Sequence, residues 1–92
     1  MASIIEDNGE ECYLCGRGGC LEVHHCIHGT GRRRLADEDG LTVHLCPDCH
    51  RKLHDHGICD RQLQAAAQRC WENKNGTRED FIRRYGRNYI QK

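Results

Sequence analysis

The chain is poor in the residues that fill the core of a small domain. Of its 92 residues, 37% are hydrophobic and only 5% are aromatic, with one tryptophan and one phenylalanine, and the mean hydropathy is -0.85. A domain of this length buries a modest share of its surface and often depends on a metal or on disulfide bonds for stability. The composition therefore predicts one small domain that needs a cross-link besides its apolar core.

Long apolar segments are also missing. No apolar run approaches the roughly 18 residues of a membrane span. Ile4-Ile5 is followed at once by Glu6-Asp7, which leaves no apolar segment of a signal peptide. We therefore expect a soluble, cytoplasmic protein that has no membrane partner.

An excess of either charge is absent as well. The formal net charge is +0, with 14 basic and 14 acidic residues, so the overall basic excess typical of a nucleic-acid-binding domain is missing. The charges are nevertheless unevenly distributed, because Arg32, Arg33 and Arg34 form a basic run and Arg51-Lys52 form another basic pair. Local patches of this kind can bind phosphate in a neutral chain, although solvated surface charge is the alternative interpretation.

Cysteine is abundant, with eight residues, and seven histidines accompany it. Two Cys-x-x-Cys pairs, Cys12/Cys15 and Cys46/Cys49, have the spacing with which two knuckles bind one tetrahedral zinc ion. Disulfide bonds are the alternative, but this pattern in a chain expected to be cytoplasmic favours a structural zinc site. The other four cysteines are interpreted mainly as small apolar residues: Cys20, Cys26, Cys59 and Cys70.

The first half of the chain predicts a β-hairpin. Residues 1–11 are expected to form a loose acidic arm. Residues 21–27 and 41–45 have the β-branched and apolar composition of strands, and the Asp39-Gly40 turn signal precedes the second of them. The charged segment of residues 32–39 is predicted to be a surface loop. We expect the two strands to pair in an antiparallel hairpin.

The second half is predicted to be helical. Pro47 suits the first turn of a helix that His56-Gly57 ends, and Asp60 suits the N-cap of the next helix. Apolar residues of that next helix recur at helical spacing and are predicted to face the core. They are Leu63, Ala66, Ala67, Cys70 and Trp71.

One more helix is predicted near the end of the sequence. Thr77 and Asp80 form a capping-box pattern at its start, with aspartate in place of the usual glutamate or glutamine. Phe81, Ile82 and Tyr85 are predicted to face inward. The whole sequence then describes a single small α+β domain without an internal boundary.

Four histidines form the second group of candidate ligands. His24 and His25 are neighbours on a predicted strand, so their side chains point to opposite faces and cannot share one role. His50 and His54 lie four residues apart on a predicted helix, which places both imidazoles on one face. Three imidazoles around an ion with an open position describe a catalytic metal site. The alternative is that these histidines are surface residues around the zinc.

The combined pattern resembles a known family. A cysteine knuckle, then Val23-His24-His25, then Leu45-Cys46-Pro47-Asp48-Cys49-His50 with a histidine soon after, is similar to the motif of the HNH endonucleases, which have the ββα-metal or His-Me finger fold. The resemblance covers residues 12–56, and residues 78–90 are similar to the tails of small phage and prophage HNH proteins. It implies a zinc-stabilised α+β domain. Residues 12–56 would form a ββα-metal core of a β-hairpin plus a helix, and residues 58–92 would add one or two C-terminal helices.

The resemblance also implies roles for individual residues. His25 would be the general base that takes a proton from the attacking water, a task that suits an imidazole. A catalytic divalent metal would be bound by His24, His50 and His54. His56 and Cys59 remain alternatives for the third ligand. Mn²⁺, Ni²⁺ and Zn²⁺ suit three imidazoles better than Mg²⁺, which prefers oxygen ligands.

The implied reaction is hydrolysis of DNA phosphodiester bonds, by nicking or by double-strand cleavage, in a bacterial host cell. Candidate contacts to DNA phosphates are Arg32, Arg33, Arg34 and Arg51. Phage packaging or recombination proteins are candidate partners besides DNA. The family's middle asparagine has no counterpart in residues 39–42, so the group that supports His25 is left open.

Two other functions remain open from the sequence. One is a non-catalytic zinc module that binds DNA or a protein, which the neutral charge and the missing asparagine favour. The other is a redox or metal-handling protein that uses the spare cysteines. The resemblance to HNH endonucleases makes the nuclease the leading expectation.

Overall fold

Two strands and four helices make up the described part of the chain. The computed structural model describes residues 3–6, 9–29, 31–57 and 59–90. The elements, in chain order, are β1 Glu22–His25, α1 Arg32–Asp39, β2 Thr42–Leu45, α2 Pro47–His56, α3 Asp60–Lys74 and α4 Arg78–Tyr85. This is the predicted α+β class. No helix in the described ranges is both long enough and apolar enough to cross a membrane.

The hairpin pairs β1 with β2 in antiparallel register. His24 lies opposite Val43, and His25 lies opposite Thr42. Along β1, His24 is buried while Val23 is 52% exposed, so the inward face of the strand is the one that carries His24. Successive side chains on a strand point to opposite faces, and His25 therefore leaves the hairpin on the other side. The predicted hairpin is confirmed, with strands shorter than expected.

Helix α1 corrects the prediction of a surface loop over residues 32–39. Arginine, leucine, alanine and glutamate all favour helix, and Ala36 packs fully buried in the core. Gly40 ends the helix with a positive φ of 75° and donates its N–H to the Ala36 and Asp37 carbonyls. The high charge of the segment suggested a loop, but one buried alanine and a glycine cap are enough to hold two turns of helix.

Helix α2 confirms the predicted start and end. Pro47 is its first residue, and the Sγ atom of Cys46 caps it by accepting a hydrogen bond from the Cys49 N–H. Leu53 is its buried residue, and Gly57 closes it in the left-handed region. A cysteine therefore serves both as a candidate ligand and as the N-cap of this helix.

Helix α3 differs from its prediction at the start and in part of its buried face. Asp60 was predicted as the N-cap but is the first helical residue, and Cys59 holds the cap position with a φ of 67° and no side-chain bond. Leu63, Ala67 and Trp71 are buried as predicted. The other two predicted core residues, Ala66 and Cys70, are only half-buried because they flank this stripe.

Helix α4 has the predicted capping box. The Thr77 side chain accepts from the Asp80 N–H, and the Asp80 carboxylate accepts from the Thr77 N–H. Phe81 and Tyr85, one turn apart, are buried and their rings stack with centroids 4.5 Å apart. Ile82 was predicted to face inward but is 37% exposed, since it lies beside that buried stripe.

The N-terminal segment is more ordered in its described part than the expected loose arm. Ser3 Oγ donates to the Thr42 carbonyl, and the Ile4 N–H donates to the Gly40 carbonyl at 2.9 Å. These bonds cover the edge of β2 that β1 leaves open, which protects a strand edge from pairing with another chain. Residues 1, 2, 7 and 8 of the predicted arm lie outside the described residues, as do residues 58, 91 and 92 of the predicted extension.

A single carboxylate joins α1 to the two C-terminal helices. Asp39 accepts hydrogen bonds from Trp71 Nε1 at 2.8 Å and from the Tyr85 hydroxyl at 2.6 Å. The Arg84 guanidinium donates to both oxygens of the same carboxylate. Buried polar groups are costly without partners, so Asp39 satisfies both aromatic residues while Arg84 balances its charge.

Replacing Asp39 with alanine is expected to lower the free energy of unfolding by about 2–4 kcal/mol, because two buried donors lose their acceptor. Urea denaturation followed by circular dichroism measures the change. The matched control is Glu38→Ala, since Glu38 contacts Arg84 at 3.2 Å through an exposed pair, and such pairs contribute about 0–1 kcal/mol. Equal losses in both variants would contradict the role given to Asp39.

Candidate functional site

The four knuckle cysteines converge on one point. Cys12, Cys15, Cys46 and Cys49 come from two distant parts of the chain, and their sulfur atoms all lie within 4.8 Å of one another. The Sγ atoms of Cys15 and Cys46 are 3.7 Å apart. A tetrahedron with Zn–S bonds of about 2.3 Å requires S–S separations of about 3.8 Å. The cluster therefore has the dimensions of a Cys₄ zinc site and could hold a structural metal such as zinc.

The electrostatics of the cluster favour a cation. Burial would raise the pKa of Cys12, but hydrogen bonds from the backbone at Cys46 and Cys15 outweigh it and lower the pKa to about 6. Burial and the neighbouring sulfurs raise the pKa of Cys49 to about 12. Four thiolates this close repel one another, so all four can ionise together only around a cation.

Three histidines form a second cluster across the hairpin and α2. The ligand nitrogens of His24, His50 and His54 all lie within 4.8 Å of one another. The two Nε2 atoms on α2, one helical turn apart, approach to 3.1 Å, and the ring of His24 lies 5.3 Å from that of His50 between centroids. The three imidazoles thus point to a common centre.

The buried nitrogen of His24 indicates which kind of ligand the three-histidine centre would bind. His24 Nε2 is a buried polar atom without a hydrogen-bond partner in the described part of the chain. Burial, followed by the neighbouring His50 and His54, lowers the pKa of His24 to about 4, so its imidazole is neutral at pH 7. An unpaired buried polar atom costs about 1–3 kcal/mol, and a metal ion among three imidazoles would remove that cost. The donor set therefore fits a divalent transition metal.

Glu22 supports this cluster from the side. Its carboxylate Oε1 lies 2.6 Å from His50 Nδ1, so Nδ1–H donates to it and the Nε2 lone pair faces the centre. A carboxylate on the outer nitrogen of a ligating histidine fixes the tautomer and orients the ring. Sequence reasoning missed Glu22, although it stands two residues before His24 and so leaves β1 on the same face.

His25 lies on the other side of β1 from His24. It is half-buried, and its Nε2 is 3.4 Å from the Asp37 carboxylate of α1. The contact with Asp37 was not predicted, because it depends on residues 32–39 forming a helix and the sequence indicated a loop there. The two neighbouring histidines therefore have different surroundings, as the strand alternation predicted.

Two adjoining depressions meet at His25. The first, the histidine pocket, has a volume of about 160 Å³ and is lined by Val23, His24, His25, His28, Arg33, His50 and His54. The second, the arginine groove, is open to solvent and is lined by His25, Gly31, Arg33, Arg34 and Asp37. His25 and Arg33 line both, so a ligand in either depression would contact them.

The alternatives for the third ligand lie apart from the cluster. His54 completes the three-histidine group. His56 is exposed at the end of α2 and Cys59 is half-buried beyond it, and neither belongs to a metal-sized cluster among the described residues. The structure thus brings together the histidines that the sequence proposed, and their role as ligands stays a prediction.

The four candidate arginines have different environments. Arg32 donates from Nε to the Tyr85 carbonyl at 2.8 Å, which gives it a structural contact. Arg34 is exposed and pairs with Glu38 at 3.6 Å. Arg33 is exposed at the junction of the two depressions, whereas Arg51 is exposed on α2 and lines neither of them. Arg33 is therefore the best placed of the four for a ligand beside His25.

Comparisons with family models, with curated proteins and with solved structures find no significant match for this chain. What can be inferred about its function therefore depends on the geometry of its own residues.

Loss of one cysteine ligand is expected to cause both loss of the metal and unfolding of the protein. For the zinc-loaded protein, Cys46→Ser should remove bound zinc and the cooperative thermal transition, since binding to a structural zinc site is coupled to folding. Cys20→Ser is the matched control, because Cys20 is exposed and lies outside the cluster. Metal analysis and thermal circular dichroism measure both effects. Full zinc content and a native melt in Cys46→Ser would refute the site.

Removal of the carboxylate behind His50 is expected to weaken the histidine site selectively. Glu22→Ala should lower the affinity of the zinc-loaded protein for added Ni²⁺ or Mn²⁺ by roughly 10–100-fold, measured by isothermal titration calorimetry. Glu79→Ala is the control, since Glu79 is an exposed carboxylate on α4. Unchanged affinity in Glu22→Ala would show that this carboxylate does not support the site.

Proposed function

We propose that the protein is a metal-dependent DNA endonuclease of the HNH type, with a ββα-metal core formed by the hairpin and α2. The observation that supports this most strongly is the arrangement along β1. His24 has a buried nitrogen without a hydrogen-bond partner in the described part of the chain and clusters with His50 and His54, while the next residue, His25, lines the adjoining groove. One strand thus separates a candidate metal ligand from a candidate base.

His25 is the general base in this proposal. The Asp37 carboxylate lies 3.4 Å from His25 Nε2; with the proton on that nitrogen, Nδ1 has the free lone pair that can accept a proton from water. Asp37 then has an orienting role, holding the ring in one tautomer, and supplies the support for which the sequence offered no asparagine. A positioned imidazole is the usual proton acceptor at neutral pH.

The remaining residues of the site would position the cation and the substrate. His24, His50 and His54 would hold a divalent ion, with Glu22 orienting His50. When bound, such an ion stabilises negative charge on the scissile phosphate and on the leaving 3′ oxygen. Arg33, at the junction of the two depressions, would hold a flanking phosphate. The nitrogen ligands favour Mn²⁺, Ni²⁺ or Zn²⁺ over Mg²⁺.

A non-catalytic zinc module is the second candidate. The neutral net charge favours it, because a nuclease that binds DNA unaided usually has a basic surface. In that case the cysteine cluster would be the essential feature, and the histidines would be dispensable. Binding of DNA or a protein that survives both His24→Ala and His25→Ala, in a protein without any cleavage activity, would support this second function.

The nuclease proposal predicts a specific loss in His25→Ala. Nicking of supercoiled plasmid with Mn²⁺, Ni²⁺, Zn²⁺ or Mg²⁺ should fall by roughly 100- to 10,000-fold when the base is removed, while the content of both metals stays unchanged. His56→Ala is the matched control, because His56 is exposed at the end of α2 and outside the cluster. It should cut like the wild type.

Three results would contradict the nuclease proposal or the role of His25 in it. A wild-type protein that cuts DNA with none of the four metals is not this kind of nuclease. Equal rates in His25→Ala and wild type would remove His25 from the mechanism, and lost metal in His25→Ala would make it a ligand instead.

A further inference from the structure

A cavity beside helix α3 lies away from both metal clusters. One wall is α3 and the other is the segment that follows α4, and we refer to this cavity, of about 370 Å³, as the α3–tail pocket. Its charged lining residues are Arg61, Arg69 and Arg87, and Asn88 and Tyr89 form part of the tail wall. Among the residues that the structure describes, no acidic side chain lines it.

The three arginines differ from most others in the chain because their charge is uncompensated. Arg17, Arg78 and Arg83, for example, each pair with a carboxylate within 3.3 Å. Within the described ranges, no ion pair involves the arginines of the α3–tail pocket: Arg61, Arg69 and Arg87. Three unpaired guanidinium groups around one cavity create a local positive potential although the net charge of the chain is +0.

A buried amide fixes the tail wall of this pocket. Gln68 is fully buried, and its Nε2 donates to Asn88 Oδ1 at 2.7 Å while its Oε1 accepts from the Tyr89 N–H at 2.6 Å. The Arg87 guanidinium lies over the Tyr89 ring, with its Cζ 5.4 Å from the ring centroid. These contacts hold the tail, and Arg87 with it, against α3.

The spacing of the charges suits an extended anion. Arg61 and Arg69 are eight residues apart on α3, which corresponds to about 12 Å along the helix axis. Phosphates of one DNA strand recur about every 3.4 Å along the duplex axis, so this distance covers about three of them. Arginine and amide side chains are the usual donors to phosphate oxygens.

We propose that the α3–tail pocket binds the backbone phosphates of duplex DNA, at a site separate from the histidine cluster. The two regions are neighbours in the fold, because Asp60, next to Arg61, contacts His28 on the rim of the histidine pocket at 3.4 Å. The site does not depend on the nuclease activity, since phosphate binding requires neither His25 nor a catalytic metal.

The test measures binding without cleavage. Zinc-loaded His25→Ala protein is titrated against a short fluorescein-labelled duplex by anisotropy, over a range of salt concentrations and without other divalent metal. A variant that also carries three pocket substitutions should bind the duplex more weakly, whatever the DNA sequence. The substitutions are Arg61→Gln, Arg69→Gln and Arg87→Gln. They should also lower the slope of log K against log salt by about 2–3, since each lost phosphate contact contributes about 0.9.

The matched control removes the same charge elsewhere. Arg17→Gln, Arg78→Gln and Arg83→Gln, in the same background, delete three exposed arginines that are already ion-paired, and the salt slope should stay near that of the parent. Equal losses in the two triple variants would overturn the proposal. So would full competition by inorganic phosphate or by poly-glutamate at equal charge concentration, which would indicate a small-anion site or an acidic protein partner.

A second measurement needs no pocket variant. In the ¹⁵N-labelled His25→Ala protein, addition of the duplex should shift the Nε–H resonances of Arg61, Arg69 and Arg87 more than those of the control arginines. Binding confined to Arg33 and the histidine pocket would refute the second site. DNA binding at the α3–tail pocket by a wild-type protein that cuts nothing would support this site while refuting the nuclease.

Discussion

The meeting of four cysteines at one point is the constraint on which the rest of the structure depends. Cys46 ends the connection from β2 and caps α2, so the same sulfur that joins the cluster also decides where α2 begins. Once that start is fixed, the helical period places His50 and His54 one turn apart on the face toward β1. A metal at the cysteines would therefore hold the histidine cluster in place without touching it.

The hairpin register is the second constraint, and it separates two neighbouring histidines. His24 lies opposite Val43 on the buried face of the hairpin, and His25 lies opposite Thr42 and faces α1. A slip of one residue would exchange the faces of the two imidazoles.

Local signals in the sequence predicted the parts of the fold that depend on nearby residues. The proline start of α2 and the capping box of Thr77 and Asp80 need only a few consecutive positions, and both are present. Helix α1 was missed although its residues favour helix, because its high charge suggested a loop and the burial of Ala36 involves residues far away in sequence. Glu22 and Asp37 were missed for the same reason, since each is defined by a partner on another element.

Net charge was the least informative property of the sequence, and the structure explains why. Individual acidic side chains are engaged by local partners, since Asp39 lies between the helices and Glu22 contacts His50. Charges separated by more than about 8 Å are largely screened at physiological salt, and the longest dimension of the molecule is 37 Å. An approaching phosphate therefore responds to the arginines beside it and hardly to distant carboxylates. A neutral sum is consequently compatible with local phosphate binding.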